Sequence, residues 1–267
     1  MARGNSLTLL AKGEIPERYR RNIGTIGIDG QKRLLEARVA VVGAGGLGGT
    51  VIELLARQGV GFLRIIDGDS FELVNLNRQL LATERTMGMN KAVSAAARVA
   101  EINSEVETHA VPAMFNEDNA TELLSGMNVI VDALDSINCR LLLCRKAQEL
   151  KIPLVHAAIA GLTGEVGTIL PTGPGLERIY ATTCGSEKGI ETVLGNPAAT
   201  PALAAAIQAQ EVVKLLTGIG EPITNKLLYF DTELNIYEFL SLTFSSAFIV
   251  FSSFVCLTEH GIWSISM

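Results

Sequence analysis

Gly43-Ala44-Gly45-Gly46-Leu47-Gly48 follows the β-branched run Arg38–Val42 and opens a stretch of helical spacing. A G-x-G-x-x-G turn between strand and helix suits phosphate. The glycines allow a tight turn and close backbone approach, and the helix N-terminus presents free N–H groups. Asp67 ends the next β-branched run, about where an acid that binds ribose belongs. Alone, this set serves NAD, FAD or ATP equally. The residues after Asp67 narrow the choice. Asp69, Asn75, Arg78, Gln79 and, after a turn at Gly88, Lys91 add two cations and several polar groups. The two phosphates of a dinucleotide are largely handled by the helix N-terminus. A triphosphate needs more cationic neutralisation, above all while charge shifts onto leaving pyrophosphate. Asp132 and Asp135 then lie at the end of a buried apolar run, at the sheet edge where α/β ligands bind. Asp135 is a candidate Mg2+ ligand, since magnesium takes one or two carboxylates plus phosphate oxygens. The competing reading is that Asp135 caps the helix beginning near Asn138.

The elements that must position these residues alternate. Strands are expected at Arg38–Val42, Phe62–Asp67, Glu107–Val111, Asn128–Leu134 and Pro153–Ala158, with helices from the glycine turn to about Gln58, from Asn90 to Ile102 and from Asn138 to Leu150. Such alternation means βαβ units and a parallel sheet. After Gly161 the rhythm changes to strands at Glu165–Leu170, Leu227–Phe230 and Ile236–Leu240, with an Ala-rich helix over Pro201–Leu216. The expected fold is α/β: a Rossmann-like, mostly parallel sheet flanked by helices, with a mixed or antiparallel C-terminal half. Residues 1–240 form one domain, with the nucleotide-binding half at about 36–158, behind a charged helical lead-in over residues 1–35.

Composition agrees and excludes alternatives. Of 267 residues, 48% are hydrophobic and 19% charged, an ordinary globular balance that excludes wholesale disorder. The net charge of −6 argues against a nucleic-acid surface, because phosphate backbones demand a basic excess. Cys139, Cys144, Cys184 and Cys256 form no C-x-x-C pair, so neither a disulfide framework nor a four-cysteine zinc site is expected. The N-terminal stretch is charged from Arg3 through Arg21 and lacks the apolar run of a signal peptide, which makes a cytoplasmic location the default. Residues 241–267 form an odd tail, and no charge occurs from Phe239 to Thr258. That is the length of a membrane span, but repeated Ser and Thr dilute it and no Lys or Arg flanks it closely. A packed or self-paired tail is expected rather than an anchor.

Taken together, Arg18-Tyr19-Arg20-Arg21, Asp29-Gly30-Gln31, Gly43–Gly48, Asp67-x-Asp69, Asn75-x-x-Arg78-Gln79, Gly88-x-x-Lys91, Asp132-x-x-Asp135, Ala158–Gly164 and Glu211-x-x-Lys214-Leu215-Leu216 resemble the ThiF/MoeB/HesA family, the bacterial relatives of ubiquitin-activating enzymes. The likeness covers roughly residues 17–240. It implies an adenylyltransferase that uses ATP and Mg2+ on a small carrier protein ending in Gly-Gly. Asp67 would hold the ribose, while Asn75, Arg78 and Lys91 would contact phosphates. Asp135 would organise magnesium, and Arg21 would reach the triphosphate of the other subunit of a homodimer. The carrier's terminal carboxylate would attack the α-phosphate, releasing pyrophosphate. A carboxylate is already an anion, so positioning and charge neutralisation carry the catalysis.

The chain departs from the pattern in places. Many relatives hold zinc with two C-x-x-C pairs, but here the first position reads Gly175-Leu176-Glu177-Arg178 and only Cys256 lies near the second, so zinc is not expected. Cys184 occupies the region where some relatives carry a transfer cysteine, without the surrounding motif, and reads as a passive thiol. His109, His156 and His260 receive no role. The alternatives are a tRNA threonylcarbamoyladenosine dehydratase of the same superfamily, suggested by Asp132-Ala133-Leu134-Asp135-Ser136, an NAD-dependent oxidoreductase, and a non-catalytic nucleotide-binding module. The net acidity weighs against a tRNA substrate. An oxidoreductase leaves Arg21, Arg78 and Lys91 unexplained, and a non-catalytic module leaves a complete set of ATP-site residues without a task.

Overall fold

A computed structural model describes residues 3–180 and 191–242. Two helices lead in, α1 (Arg3–Ala11) and α2 (Arg20–Glu36), the second kinked at Gly27. Strand and helix then alternate through β1 (Arg38–Val42), α3 (Gly46–Gln58), β2 (Phe62–Ile66), α4 (Lys91–Ile102), β3 (Glu107–Val111), α5 (Glu117–Leu124), β4 (Val129–Asp132), α6 (Ile137–Glu149) and β5 (Leu154–Ala160). The rest is β6 (Thr163–Ile169), the short helices α7 (Glu177–Tyr180) and α8 (Glu191–Leu194), the long α9 (Ala199–Thr217), β7 (Lys226–Asp231) and β8 (Ile236–Ser241).

All eight strands join one sheet in the order β3-β2-β1-β4-β5-β6-β7-β8. The pairs from β3 through β5 are parallel, and those from β5 through β8 are antiparallel. This is the expected α/β sheet with an antiparallel second half. The apolar runs of β1 and β4 have no polar face because both sides are covered, as a parallel sheet requires. Val39 and Val41 pack with Leu55 of α3, Val99 of α4 and Val212 of α9, while Ala40 and Val42 pack with Leu124 of α5 and Leu143 of α6.

Some boundaries and one element differ from the sequence reading. Strands β2 and β4 stop at Ile66 and Asp132, so Asp67 and Leu134 belong to the loops beyond. Helix α5 was not anticipated. Its start is an Asn-based capping box, in which the Asn116 side chain accepts from the N–H groups of Asp118 and Asn119 and the Asn119 side chain returns the bond to the Asn116 N–H. The usual sequence signature of a capping box carries Ser or Thr and Glu or Gln, and this one carries neither. Position 240 falls inside β8, and residues 243–267 of the tail lie outside the described residues. Among the described residues no helix is long and apolar enough to cross a membrane.

Candidate functional site

The strand order reverses between β1, whose neighbour on one side is β2, and β4 on the other. In open α/β sheets ligands bind in the crevice at such a switch point, beyond the carboxyl ends of the strands. Val42 pairs with both Ile66 and Asp132, so Gly43, Asp67 and Ala133 leave the sheet at one level. Three sequence-distant segments therefore converge.

The cradle is built from backbone. Gly43 has a φ of 97°, and a Cβ there would lie 2.4 Å from the Ala133 carbonyl oxygen. A Cβ on Gly48 would lie 1.9 Å from the Gly43 carbonyl oxygen, so the loop closes onto the first turn of α3 only without side chains. Gly45 is the N-cap of α3, and among the described residues no side chain caps the helix's first N–H groups. A 13-residue helix thus points its positive end, with donors that no described side chain caps, into the crevice.

Asp67 braces this loop. Its Oδ2 accepts from the Ala44 N–H at 2.7 Å and its Oδ1 from the Asp69 N–H at 2.8 Å. A carboxylate has about four acceptor positions, so lone pairs remain for a hydroxyl of a ligand. Burial pushes the Asp67 carboxyl above its ordinary value, and the two N–H donors oppose that shift. Asp69 faces Lys91, whose ammonium lies 3.0 Å from its Oδ2, while the lysine is only 8% exposed. Asn90 sets the start of α4 by accepting from the Val93 N–H, which places Lys91 in the first turn. Asn75 is buried and accepts from the Glu72 N–H at 3.0 Å, shaping the 3-10 turn Leu73–Asn75 that presents Arg78 and Gln79. A Cβ on Gly46 would lie 3.7 Å from Arg78 Cγ, and one on Gly45 would lie 3.5 Å from the Gln79 amide nitrogen. Arg78 donates to the Val74 carbonyl and to Asn77, an arrangement that leaves most of its guanidinium donors uncommitted among the described residues. The buried Gln79 Oε1 has no partner among the described residues.

Beyond β4 the two acids part company. Asp135 is exposed, but Asp132 is fully buried. The helix-capping reading of Asp135 is overturned, because the N-cap of α6 is Ser136, which accepts from the Cys139 N–H. Asp132 instead belongs to a buried polar network that sequence reasoning missed. Its Oδ2 lies 2.7 Å from His156 Nδ1, and His156 Nε2 lies 3.3 Å from the Tyr180 hydroxyl and 3.5 Å from Glu165. Arg140 donates to Tyr180 at 2.8 Å and to the Leu134 carbonyl through Nε at 2.9 Å and through Nη2. Burial alone would lower the His156 pKa, but its bonds to Asp132 and Glu165 outweigh that and raise it. The histidine had no motif around it. The available signal was an acid inside an apolar strand, which demands a buried partner.

Other predicted residues lie elsewhere. Arg21 is exposed in the first turn of α2, near the far end of α3, because neighbouring Asn22 reaches the Gln58 carbonyl at 3.4 Å. The 12 residue steps from Gly46 to Gln58 put about 18 Å between that end and the cradle, beyond the reach of an arginine side chain. Cys184 and Cys256 lie outside the described residues. Cys144 is buried, and burial pushes its thiol up to about 11, which makes it inert. Among the described residues no three His, Cys, Asp or Glu side chains are grouped to hold a metal ion.

Comparison with known proteins returns one family. The profile of the ThiF family matches residues 19–246. The SAMP-activating enzyme E1 of Haloferax volcanii is 39% identical over 219 residues, covering 80% of this chain and 81% of the relative. The adenylyltransferase and sulfurtransferase MOCS3 of Culex quinquefasciatus is 35% identical over 251 residues, 89% of this chain but 55% of that longer protein, so the chain spans about half of it. Among solved structures, E. coli MccB superposes with a TM-score of 0.75 at 24% identity, over 85% of this chain and 71% of that one, a likeness of fold.

Proposed function

The chain belongs to the ThiF family, and from that membership we propose that it adenylates the C-terminal carboxylate of a small ubiquitin-like or sulfur-carrier protein with ATP. One observation carries the reading: the uncapped N-terminus of α3 opens at the switch point with Arg78, Asp67 and the Asp135 loop around it. The glycines Gly43, Gly45, Gly46 and Gly48 and the helix end receive phosphate. Asp67 accepts from the ribose. Arg78 and Lys91 neutralise the charge that grows on pyrophosphate, with Asn75 and Gln79 shaping that wall and Asp69 holding Lys91 in place.

The carrier's carboxylate oxygen bonds to the α-phosphorus as the bond to the bridging oxygen of pyrophosphate breaks, giving carrier-AMP and pyrophosphate. No proton has to be removed from the nucleophile. The chain therefore works by orientation and by preorganised positive charge, both of which act most strongly on the transition state. Asp135 suits Mg2+, being an exposed carboxylate two residues beyond Ala133, which lies against the cradle glycines, with no cation of the chain bound to it among the described residues. That ion would supply further neutralisation of the triphosphate. We place the reaction in a cytoplasmic homodimer, in residues 1–240 acting as one domain, with a carrier ending in Gly-Gly.

The test is ATP–pyrophosphate exchange with candidate carriers ending in Gly-Gly and with the same carriers lacking those two residues. Exchange should need ATP, Mg2+ and the intact carrier end, and NAD should not stabilise the protein thermally while ATP does. A thermal shift with NAD and none with ATP sinks the proposal.

A further inference from the structure

Leu134, the residue before Asp135, is held at both of its backbone polar groups by buried charged side chains. The Leu134 N–H donates to Asp132 Oδ1 at 3.1 Å, and the Leu134 carbonyl accepts two bonds from the Arg140 guanidinium. Both clamps are themselves anchored. Asp132 is bound to His156 at 2.7 Å, and Arg140 donates its third bond to Tyr180, whose hydroxyl is 3.3 Å from the other nitrogen of that imidazole. The chain of contacts closes into a ring: Leu134, Asp132, His156, Tyr180, Arg140, Leu134. Arg140 is only 7% exposed, and Asp132 and His156 are 0% exposed. Burying these charges is costly unless every member is paired, and a fully paired network fixes one geometry. Stability alone gives no reason to spend such a network on one carbonyl. The Ala133 carbonyl oxygen lies against Gly43, at the mouth of the cradle, so a shift of the Ala133–Leu134 backbone would move Asp135 relative to the cradle.

We infer that Arg140, backed by His156 and Tyr180, is a positioning residue that fixes Asp135 over the triphosphate and acts in adenylation only through Asp135. The inference rests on the adenylation reading. Its reach is specific: Tyr180 is the last residue of α7, on the connection leading out of β6, so the ring ties that connection to the placement of Asp135. Because a misplacement of about 1 Å costs up to about 100-fold in rate, loss of the fork is expected to show in turnover rather than in ATP affinity.

The experiment is a double-mutant cycle on Arg140→Lys and Asp135→Ala, read by pyrophosphate exchange and, independently, by calorimetric titration of Mg2+ onto protein saturated with a non-hydrolysable ATP analogue. Arg140→Lys keeps the charge and loses the fork. Alone it should lower kcat at least about tenfold with KM for ATP little changed, and weaken Mg2+ binding. In the Asp135→Ala background it should cost nothing further in either readout, because contacting groups that act as a unit are non-additive. Should Arg140→Lys not fold, Tyr180→Phe removes only the hydroxyl that braces Arg140, and a smaller loss with the same non-additivity is expected. Additive losses, or a fall in folded fraction that accounts for the whole effect, overturn the inference. No exchange by the wild-type protein with any carrier would instead defeat the adenylation reading, while the Mg2+ titration still decides whether Arg140 works through Asp135.

Discussion

Arg78 and Lys91 differ in what their charges already meet. Lys91 is buried against Asp69, whereas Arg78 is half-exposed and, among the described residues, bonded only to a carbonyl and a neutral amide. Changing either to Ala should lower pyrophosphate exchange by roughly 100-fold or more, the scale on which a single preorganised charge partner acts. Only Lys91→Ala should also reduce stability, because it strips a partner from Asp69 and empties a buried position. Chemical denaturation alongside the exchange assay separates the two effects, and full exchange activity in both variants would make these ordinary surface charges. His156 calls for a pH experiment. Its folded-state pKa is raised above the ordinary 6.5, so it binds its proton more tightly folded than unfolded. The stability it contributes is complete below the unfolded value and fades as pH rises through the folded one. Urea titrations of wild type and His156→Gln should therefore show a stability gap that narrows from mildly acidic to alkaline pH, and a gap that widens would reverse the assignment.

At the scale of the element, the start of α6 separates structural from chemical work between adjacent residues. Ser136 caps the helix and Asp135 does not. Ser136→Ala should cost about 1 kcal/mol of stability, as loss of an N-cap does, and leave most of the exchange activity. Asp135→Ala should do the opposite, with little change in Tm and a large loss of turnover. Equal destabilisation by the two would return Asp135 to a capping role. Helix α9 explains how this end of β4 is held from the other face: Gln208 donates to the carbonyl oxygens of Asp132 and Val155, at 2.8 and 3.2 Å. A polar residue in an Ala-rich helix thus ties the carboxyl end of β4 and the start of β5 to the helix covering them.

For the whole molecule, the position of Arg21 is the strongest constraint. About 18 Å of α3 lies between its neighbourhood and the cradle, so in one chain it cannot serve the triphosphate. If it serves a partner's site, Arg21→Ala and Asp135→Ala proteins should each keep only a small residual exchange activity, and an equal mixture should rise to about a quarter of wild-type exchange, since half of randomly exchanged dimers are mixed and each has one intact site. Subunit exchange confirmed by mass spectrometry with no recovered activity would remove Arg21 from the mechanism.

The glycine spacing, the acid after the second strand and the change of rhythm after Gly161 made the fold and the location of the cradle readable from sequence, because each is a local requirement of backbone geometry or of period. The gathering of Asp67, Asn75, Arg78, Gln79 and Lys91 next to that loop follows for the same reason, since they are short-range neighbours on one loop and the helix after it. Which of Asp132 and Asp135 is buried was not readable, since both are carboxylates three positions apart on one segment. Only the pairing of β4 with β5 sets His156 opposite Asp132, and only the return of the chain through α7 brings Tyr180 to Arg140. Those contacts join residues 24 and 40 positions apart. No local rule of propensity or spacing encodes them, because burial creates the demand for a partner and the tertiary fold decides which side chain meets it.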